Sequence, residues 1–421
     1  MRRPLLIMFI ILALISCIYT NIKPLDKNED NINVEIVGIV KDKIEKEKYH
    51  QYKIGDYLVN DYTRNINLKI GKVVRIYGKY KNLDNMNFDN FKYGRYIKST
   101  GYNGMVYMSK YKYIGDNRFY SYIGKIKYYI KNTFIYLYKD KSDFVNSLIL
   151  GTKEYLSYEE NDMFNKSGTS HIIAISGLHI GIMLGLMIFF IRGINNIFKL
   201  IFISVILSLY ALIVGSSPSV IRAVLFVVIL NMAVFVDKKK DGISSLSLIG
   251  IIFIINNPYC IYNISFQLSF LATLSIIYFY GCINEIIKSK LISITIASNI
   301  LTLPIVYYIF KGIPIFSIIS NMIVVPLMGV IIYLSVFSIF VFKINLYIAK
   351  FIAYFNRVLI NFIYYVLNKI INIDFAYIEI DNPQFTYVVM YYVIVFIYMI
   401  YKELKVMKEQ ENELQGYYKE Y

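Results

Sequence analysis

Apolar and polar positions alternate along this chain in three different rhythms. The run "PLLIMFIILALISCIYT" near the start is unbroken and predicts either a short signal-anchor helix or the core of a signal peptide. From about residue 23 to 118 the runs shorten and alternate, as in "INVEIVGIV", "INLKIGKVVRIYGKY" and "GMVYM", with Gly, Asn and Asp between them. Period-two alternation bounded by turn residues predicts a small β-barrel or sandwich. Residues 119–141 predict a basic, aromatic helix lying along the membrane surface. Apolar runs then come densely, and their lengths predict spans near 170–191, 198–214, 218–236, 243–255, 264–280, 291–310, 324–342, 348–367 and 385–401. The expected fold is a polytopic α-helical membrane protein of about ten transmembrane helices with a small N-terminal all-β extracytoplasmic domain. The expected parts are a signal-anchor (1–22), the all-β domain (23–118), a basic amphipathic connector (119–160), the transmembrane domain (161–401) and a charged tail (402–421).

Composition supports that class, since 57% hydrophobic residues in recurring long runs require lipid as solvent. The three cysteines, Cys17, Cys260 and Cys282, are too few and too scattered for a disulfide framework or a zinc cluster. "LISC", ending at Cys17, also matches a bacterial lipoprotein cleavage site, so lipidation there is a second reading of the N-terminal run.

The formal charge is +16, which favours anionic partners such as lipid headgroups or nucleic acid. Residues 21–140 hold 23 Lys and Arg against 13 Asp and Glu, about +10. In "RIYGKYK" and "FKYGRYIKSTGY" cations interleave with tyrosines, a mixture suited to single-stranded nucleic acid, where cations track phosphates and rings stack on bases. Arg75, Lys79, Lys92 and Arg95 are the candidates. A solvated basic surface, with Lys and Tyr raised by an AT-rich genome, is the competing reading.

Loop cations set an orientation. With Arg2 and Arg3 inside, alternation places Arg192, Lys199, "DKKKDG" (237–242) and "NEIIKSK" (284–290) inside as well, and the β-region outside.

Several spans carry groups that lipid disfavours. "SHIIAISGLHIGIML" holds His171, Ser176 and His179, with Gly177, Gly181 and Gly185 at i, i+4, i+8. Read as one helix, the glycines form a stripe for close helix packing, and Ser176 and His179 face the other way toward a water-filled path or another helix. The two histidines, about 80° apart on such a helix, do not suit a metal site, and "SGLH" is not a nucleophile elbow. Arg222 in "GSSPSVIRAVL", Gln267 in "SFQLSFLATLS", and Asn299 and Asn321 in the Pro-broken "ASNILTLPIVYYIFKGIPIFSIISNMIVVP" extend the theme. The prolines there predict re-entrant or discontinuous helices.

"HIIAISGLHIG", "GSSPSVIRA", "NPYCIYNISFQLSFLA" and "LPIVYYIFKGIPIFSIISNMIVVPL" stand in the order and spacing of the signature segments of the ComEC competence-protein family, which the chain resembles over most of residues 30–330. "VNSLILGTKEYLSYEENDMFNKSGTSH" is similar to the family's lead-in, and "NMNFDNFKYGRYIKSTGYNGMVY" to the end of its OB-like domain. The resemblance implies a bacterial inner-membrane channel for single-stranded DNA uptake in natural transformation. It implies partners too: the DNA strand, the phospholipid membrane, other competence proteins including a separate DNA receptor and a cytoplasmic ATPase, and possible self-association. No phosphate-binding loop is present, so an ATP-driven motor is a partner. The metallo-β-lactamase-like nuclease of many relatives needs a His-x-His-x-Asp-His run, and His50, His171 and His179 are the only histidines; a nuclease is expected only in trans, and no catalytic group, cofactor or metal here. One apolar run precedes the β-region where relatives commonly have more, and Asn263-Ile264-Ser265 replaces an acidic residue and Gly. Readings from other classes are a carrier or flippase for another anion, and a non-conducting membrane-anchored nucleic-acid-binding protein.

Overall fold

The structure is a computed structural model describing residues 4–419 except 27–28, 47, 65, 89–90, 153–154, 192, 216 and 236–240. Arg2, Arg3, Arg192 and most of "DKKKDG", used above, lie outside the described residues.

The helix α1 (Pro4–Ile22) precedes strands β1 (Asn33–Glu45), β2 (His50–Ile54), β3 (Tyr57–Asp61), β4 (Lys72–Lys81), β5 (Asn87–Phe88) and β6 (Phe91–Lys92), helix α2 (Tyr93–Ser99) and strand β7 (Gly104–Asp116). Five of these strands close into a barrel in the order β1-β2-β3-β7-β4, with β4 back on β1; β3 and β7 run parallel and the other pairs antiparallel. Alternation supplies the interior, where Val40, Tyr52, Ile54, Val59, Val74, Ile76, Tyr80 and Val106 are buried. The expected strands are present, and a hairpin, β2–β3, joins them. α2 and the turn Leu83–Asn85 cover one side through Leu83, Met86 and Ile97 packed on Leu58 and Met105.

Helices follow without further large sheets: α3 (Arg118–Tyr138), α4 (Ser142–Leu150), α5 (Tyr158–Lys166), α6 (Ser170–Ile173), α7 (Gly177–Phe190), α8 (Asn196–Val214), α9 (Pro218–Phe235), α10 (Gly242–Asn256), α11 (Ile264–Ile287) and α12 (Lys290–Phe310). Then come β8 (Gly312–Pro314), α13 (Ser317–Ile344), α14 (Leu346–Ile371), β9 (Tyr377–Glu379) and α15 (Phe385–Lys419). Among the described residues seven helices are long and apolar enough to cross a membrane: α1, α8, α11, α12, α13, α14 and the Phe385–Leu404 part of α15. Gly177–Phe190, Pro218–Met232 and Gly242–Asn256 are apolar but shorter. At 1.5 Å per residue the fourteen residues of α7 cover roughly 21 Å, less than a bilayer core.

The prolines behave differently from expectation. α12 runs through Pro304 and α13 through Pro326, and α13 starts at Ser317, well before the predicted 324. Only Pro314 lies in a break, where β8 pairs with β9. Pro304 removes the hydrogen bond that Ile300 O would accept within the helix. Tyr391 Oη of α15 donates to Ile300 O instead, at 2.9 Å, and Tyr392 Oη to Leu301 O at 2.8 Å. Tyr391→Phe is therefore expected to leave that carbonyl unsatisfied and lower stability by about 1–3 kcal/mol, read as a lower unfolding temperature in detergent. Tyr387→Phe, at an exposed ring on the same helix, serves as the control that leaves it unchanged.

The expected surface connector is a different object. α3 begins against the barrel, but Phe134, Leu137 and Tyr138 are buried in a core with α4, α5, α6, α13 and α14. Asn356 of α14 ties this core together, its Nδ2 donating to Tyr138 Oη, Ile331 O and Ser335 Oγ at 3.0–3.2 Å.

The barrel is bound to the helices at two places. On one side Asn257 Nδ2 donates to Lys98 O (2.7 Å) and Asn263 Nδ2 to Ser99 Oγ (3.2 Å), while Arg95 Nη2 reaches Asn21 Oδ1 (3.0 Å). Asn263 also caps α11, its side chain accepting from Phe266 N. The departure from the family pattern at this turn thus still gives a capped helix. On the other side buried Asp42, at a β1 irregularity, pairs with Lys53 (3.2 Å) and with Lys127 of α3 (2.8 Å). Burial alone would raise the Asp42 carboxyl, but the charges of Lys127 and Lys53 outweigh it and hold it below the usual carboxylate range. Glu45 accepts from Lys43 and from Tyr155; against the upward push of burial these bonds and Lys131 bring it down to about 2.

Candidate functional site

The segment 170–191 is two helices, not one. α6 ends at Ile173, Ala174 is extended, and Ser176 (φ −133°, ψ −178°) caps α7. The break follows from local chemistry. Ser176 Oγ accepts from Leu178 N at 3.3 Å, and His179 Nδ1, three residues on, accepts from Ser176 N at 3.3 Å. This is a capping box with His in the place of Glu. Its spacing, S-x-x-H, was present in the sequence but was masked by apolar neighbours.

Because Nδ1 accepts a backbone N–H, the ring proton sits on Nε2. His179 is fully buried, and Nε2 has no hydrogen-bond partner among the described residues. The opposite-face geometry expected for Ser176 and His179 does not hold, since Ser176 lies outside the helix as its cap. His171 is on α6, exposed and beyond the break, so the two histidines do not share a helix.

The glycine stripe is also corrected. A Cβ on Gly177 would lie 3.6 Å from Arg222 Nη2 and 3.9 Å from Ala223 Cβ, so this position faces α9. A Cβ on Gly185 would lie 3.0 Å from the Tyr333 hydroxyl, but one on Gly181 would meet no other element within 4 Å among the described residues. The two outer glycines meet different helices, and the middle one faces open space.

Arg222 is one turn into α9 and 5% exposed. Its Nη1 donates to Thr273 Oγ1 of α11 at 2.9 Å; that hydroxyl in turn donates to Ser269 O at 2.9 Å. Nε of Arg222 has no partner among the described residues. Ser219 Oγ donates to Ile175 O at 3.1 Å, holding the start of α9 against the extended residues before α7. Ser176, Gly177, Arg222 and Thr273 thus meet where α7 and α9 begin. Thr273 and Ser219 were not among the candidates; single hydroxyls in apolar helices carry no sequence signal of their own.

The remaining pathway candidates do not join them in hydrogen bonding. Gln267 Nε2 donates to Ile261 O at 2.7 Å and holds the turn before α11. Asn299 is half-buried on α12. Asn321 is buried in the first turn of α13, with Oδ1 lacking a partner, as does Ser320 Oγ beside it. Among the described residues no group of three His, Cys, Asp or Glu could hold a metal ion.

On the barrel the four cations separate. Arg75 pairs with Glu35 at 2.8 Å, and Arg95 is spent on α1 and on the Tyr262 ring, 4.8 Å away. Lys79 and Lys92 are exposed, Lys92 at the edge of α2. The face made by β1, β4 and β7 sets Tyr77 opposite Lys110 and Arg75 opposite Lys112. Tyr77, Tyr111 and Tyr113 are 37%, 44% and 50% exposed. The cation–tyrosine mixture continues into β7, in "KYKY" (110–113), which the candidates omitted.

Residues 148–405, more than half of the chain, match the Competence protein family. The chain belongs to that family. The competence-family region starts inside α4, earlier than the expected boundary at 161, and covers every residue around Arg222. ComE operon protein 3 of Bacillus subtilis (strain 168) is 33% identical over 216 residues, 50% of this chain and 28% of that protein. The chain therefore spans about 28% of the length of this curated relative. No solved structure matches.

Proposed function

We propose that this competence-family protein conducts one DNA strand across the bacterial cytoplasmic membrane during natural transformation. The observation that carries the reading is Arg222, a buried cation lacking a carboxylate partner among the described residues, held at two helix starts inside the family-matched region. A phosphate-bearing substrate is what such a group suits.

The barrel acts in this reading as an external OB-like receiver of the strand. In its favour are five strands closed by a parallel β3–β7 pair and the open, basic, tyrosine-bearing β1–β4–β7 face. Its outward placement is favoured by charge. The ends of α7–α12 away from the barrel carry Lys199, Lys288 and Lys290, and Lys402 on α15 lies at the same end, against Cys282. Cations collect on the cytoplasmic side of such loops. A cytoplasmic ATPase, a separate receptor and a nuclease in trans complete the proposed machine.

Deleting the gene in a transformable host is expected to lower transformation frequency at least a thousandfold while duplex DNA still binds the cell surface. Unchanged frequency would reject the reading in favour of a carrier for another anion.

A further inference from the structure

Among the described residues, Arg222 forms no ion pair with a carboxylate, and its one hydrogen bond is to a neutral hydroxyl, Thr273 Oγ1. We infer that the starts of α7 and α9, with Arg222 between them, bind a phosphate-type oxyanion, which in the working protein is a phosphodiester of the passing strand. The occupant rests on the function proposed above; the anion site does not.

The first argument is charge balance. Between Asp162 and Asp374 the chain has three acidic residues, Asp237, Asp241 and Glu285. Asp241 caps the start of α10, and Glu285 is in the last turn of α11. Glu285 is twelve residues along α11 from Thr273, the residue that Arg222 touches, or roughly 18 Å at the helical rise. Arg222 takes part in none of the ion pairs among the described residues. A buried guanidinium whose named partner is a hydroxyl is unfavourable unless something else neutralises it.

The second argument is the backbone. Gly177 is the first residue of α7 and Pro218 the first of α9, and Ser219 Oγ ties the two starts together through Ile175 O. Helix starts have positive potential, so two of them beside Arg222 Nη2 repel it and together attract an anion. Gly177 faces this meeting, since a Cβ there would stand 3.6 Å from Nη2, in van der Waals contact.

The third observation is independent of Arg222. His179 Nε2–H, in the first turn of α7, is a buried donor with no partner among the described residues. Arg222 Nε–H is a second buried donor without a partner among the described residues. Tetrahedral oxyanions, with several acceptor oxygens, match a guanidinium fork and helix-start N–H groups. One such site, reached by successive phosphates, would hold a strand without reading its bases.

The test uses the full chain in phosphatidylcholine nanodiscs, in buffer free of multivalent anions, with thermal unfolding followed by circular dichroism. The probes are orthophosphate, dimethyl phosphate and a twenty-residue oligothymidylate. All three are expected to raise the wild-type unfolding temperature by several degrees. Arg222→Gln should abolish the rise, Arg222→Lys should keep part of it, and Lys369→Gln, an exposed cation on α14, should keep it whole. Without anion, Arg222→Gln should unfold no earlier than wild type, because an uncompensated buried charge has been removed. A wild-type protein insensitive to all three probes, or a rise that survives in Arg222→Gln, overturns the site. Response to orthophosphate with none to dimethyl phosphate or the oligonucleotide leaves an anion site but overturns the strand as its occupant. So does loss of the oligonucleotide response in phosphatidylglycerol nanodiscs, which would identify a lipid headgroup as the occupant.

Discussion

Alanine in place of Asp42 is expected to release the barrel from α3 and to lower stability by about 3–5 kcal/mol, the usual effect of breaking a buried ion pair from one side. Two lysines, Lys53 and Lys127, would lose their shared carboxylate. The same junction has a tight steric contact: Gly71, at φ +93°, lies against the backbone of Ser121 at the start of α3, where a Cβ has no room. The readout is proteolysis between barrel and bundle together with the unfolding temperature. Acid should act in the same direction. Both Asp42 and Glu45 have folded pKa values below their unfolded ones, so they stabilise the junction fully above about pH 4.5, the ordinary glutamate value. That contribution is lost as pH falls through their folded values, about 2 for Glu45. Between pH 5 and 8 the attachment should not change.

Leucine at Gly177 is expected to lower DNA uptake at least a hundredfold, because its side chain would enter the space beside Arg222 Nη2 and Ala223 where α7 meets α9. Leucine at Gly181, with nothing within 4 Å, should leave uptake and membrane abundance near wild type. The pair separates two accounts of the same glycines. If both variants lost protein equally, the whole stripe would be a packing surface after all, made with something outside this chain. If Gly177→Leu kept uptake, the meeting of α7 and α9 would not lie on the strand's route.

The sequence revealed what repeats and concealed what is local. Long apolar runs marked α1, α8, α11, α12, α14 and the start of α15 closely, because span length is a bulk property of lipid. Alternation marked β1, β4 and β7, but not the parallel β3–β7 closure, whose partners such as Val59 and Val106 are 47 residues apart. The apolar run 170–191 read as one helix because hydrophobicity does not register a cap; Ser176 and His179 break it through two hydrogen bonds. Conversely Pro304 read as a break, and Tyr391, 87 residues later, repairs it. Arg222 was legible as an unusual residue in a span. That its neighbours would be helix starts and a threonine rather than a carboxylate required the fold.

The most direct measurement of strand conduction is the fate of labelled transforming DNA in cells carrying wild-type protein, no protein, or Gly177→Leu. Wild type should accumulate nuclease-resistant single-stranded label inside the cell, while the deletion and Gly177→Leu strains hold label only at the surface, where added nuclease removes it. Nuclease-resistant single strands entering the deletion strain at the wild-type rate would contradict the account.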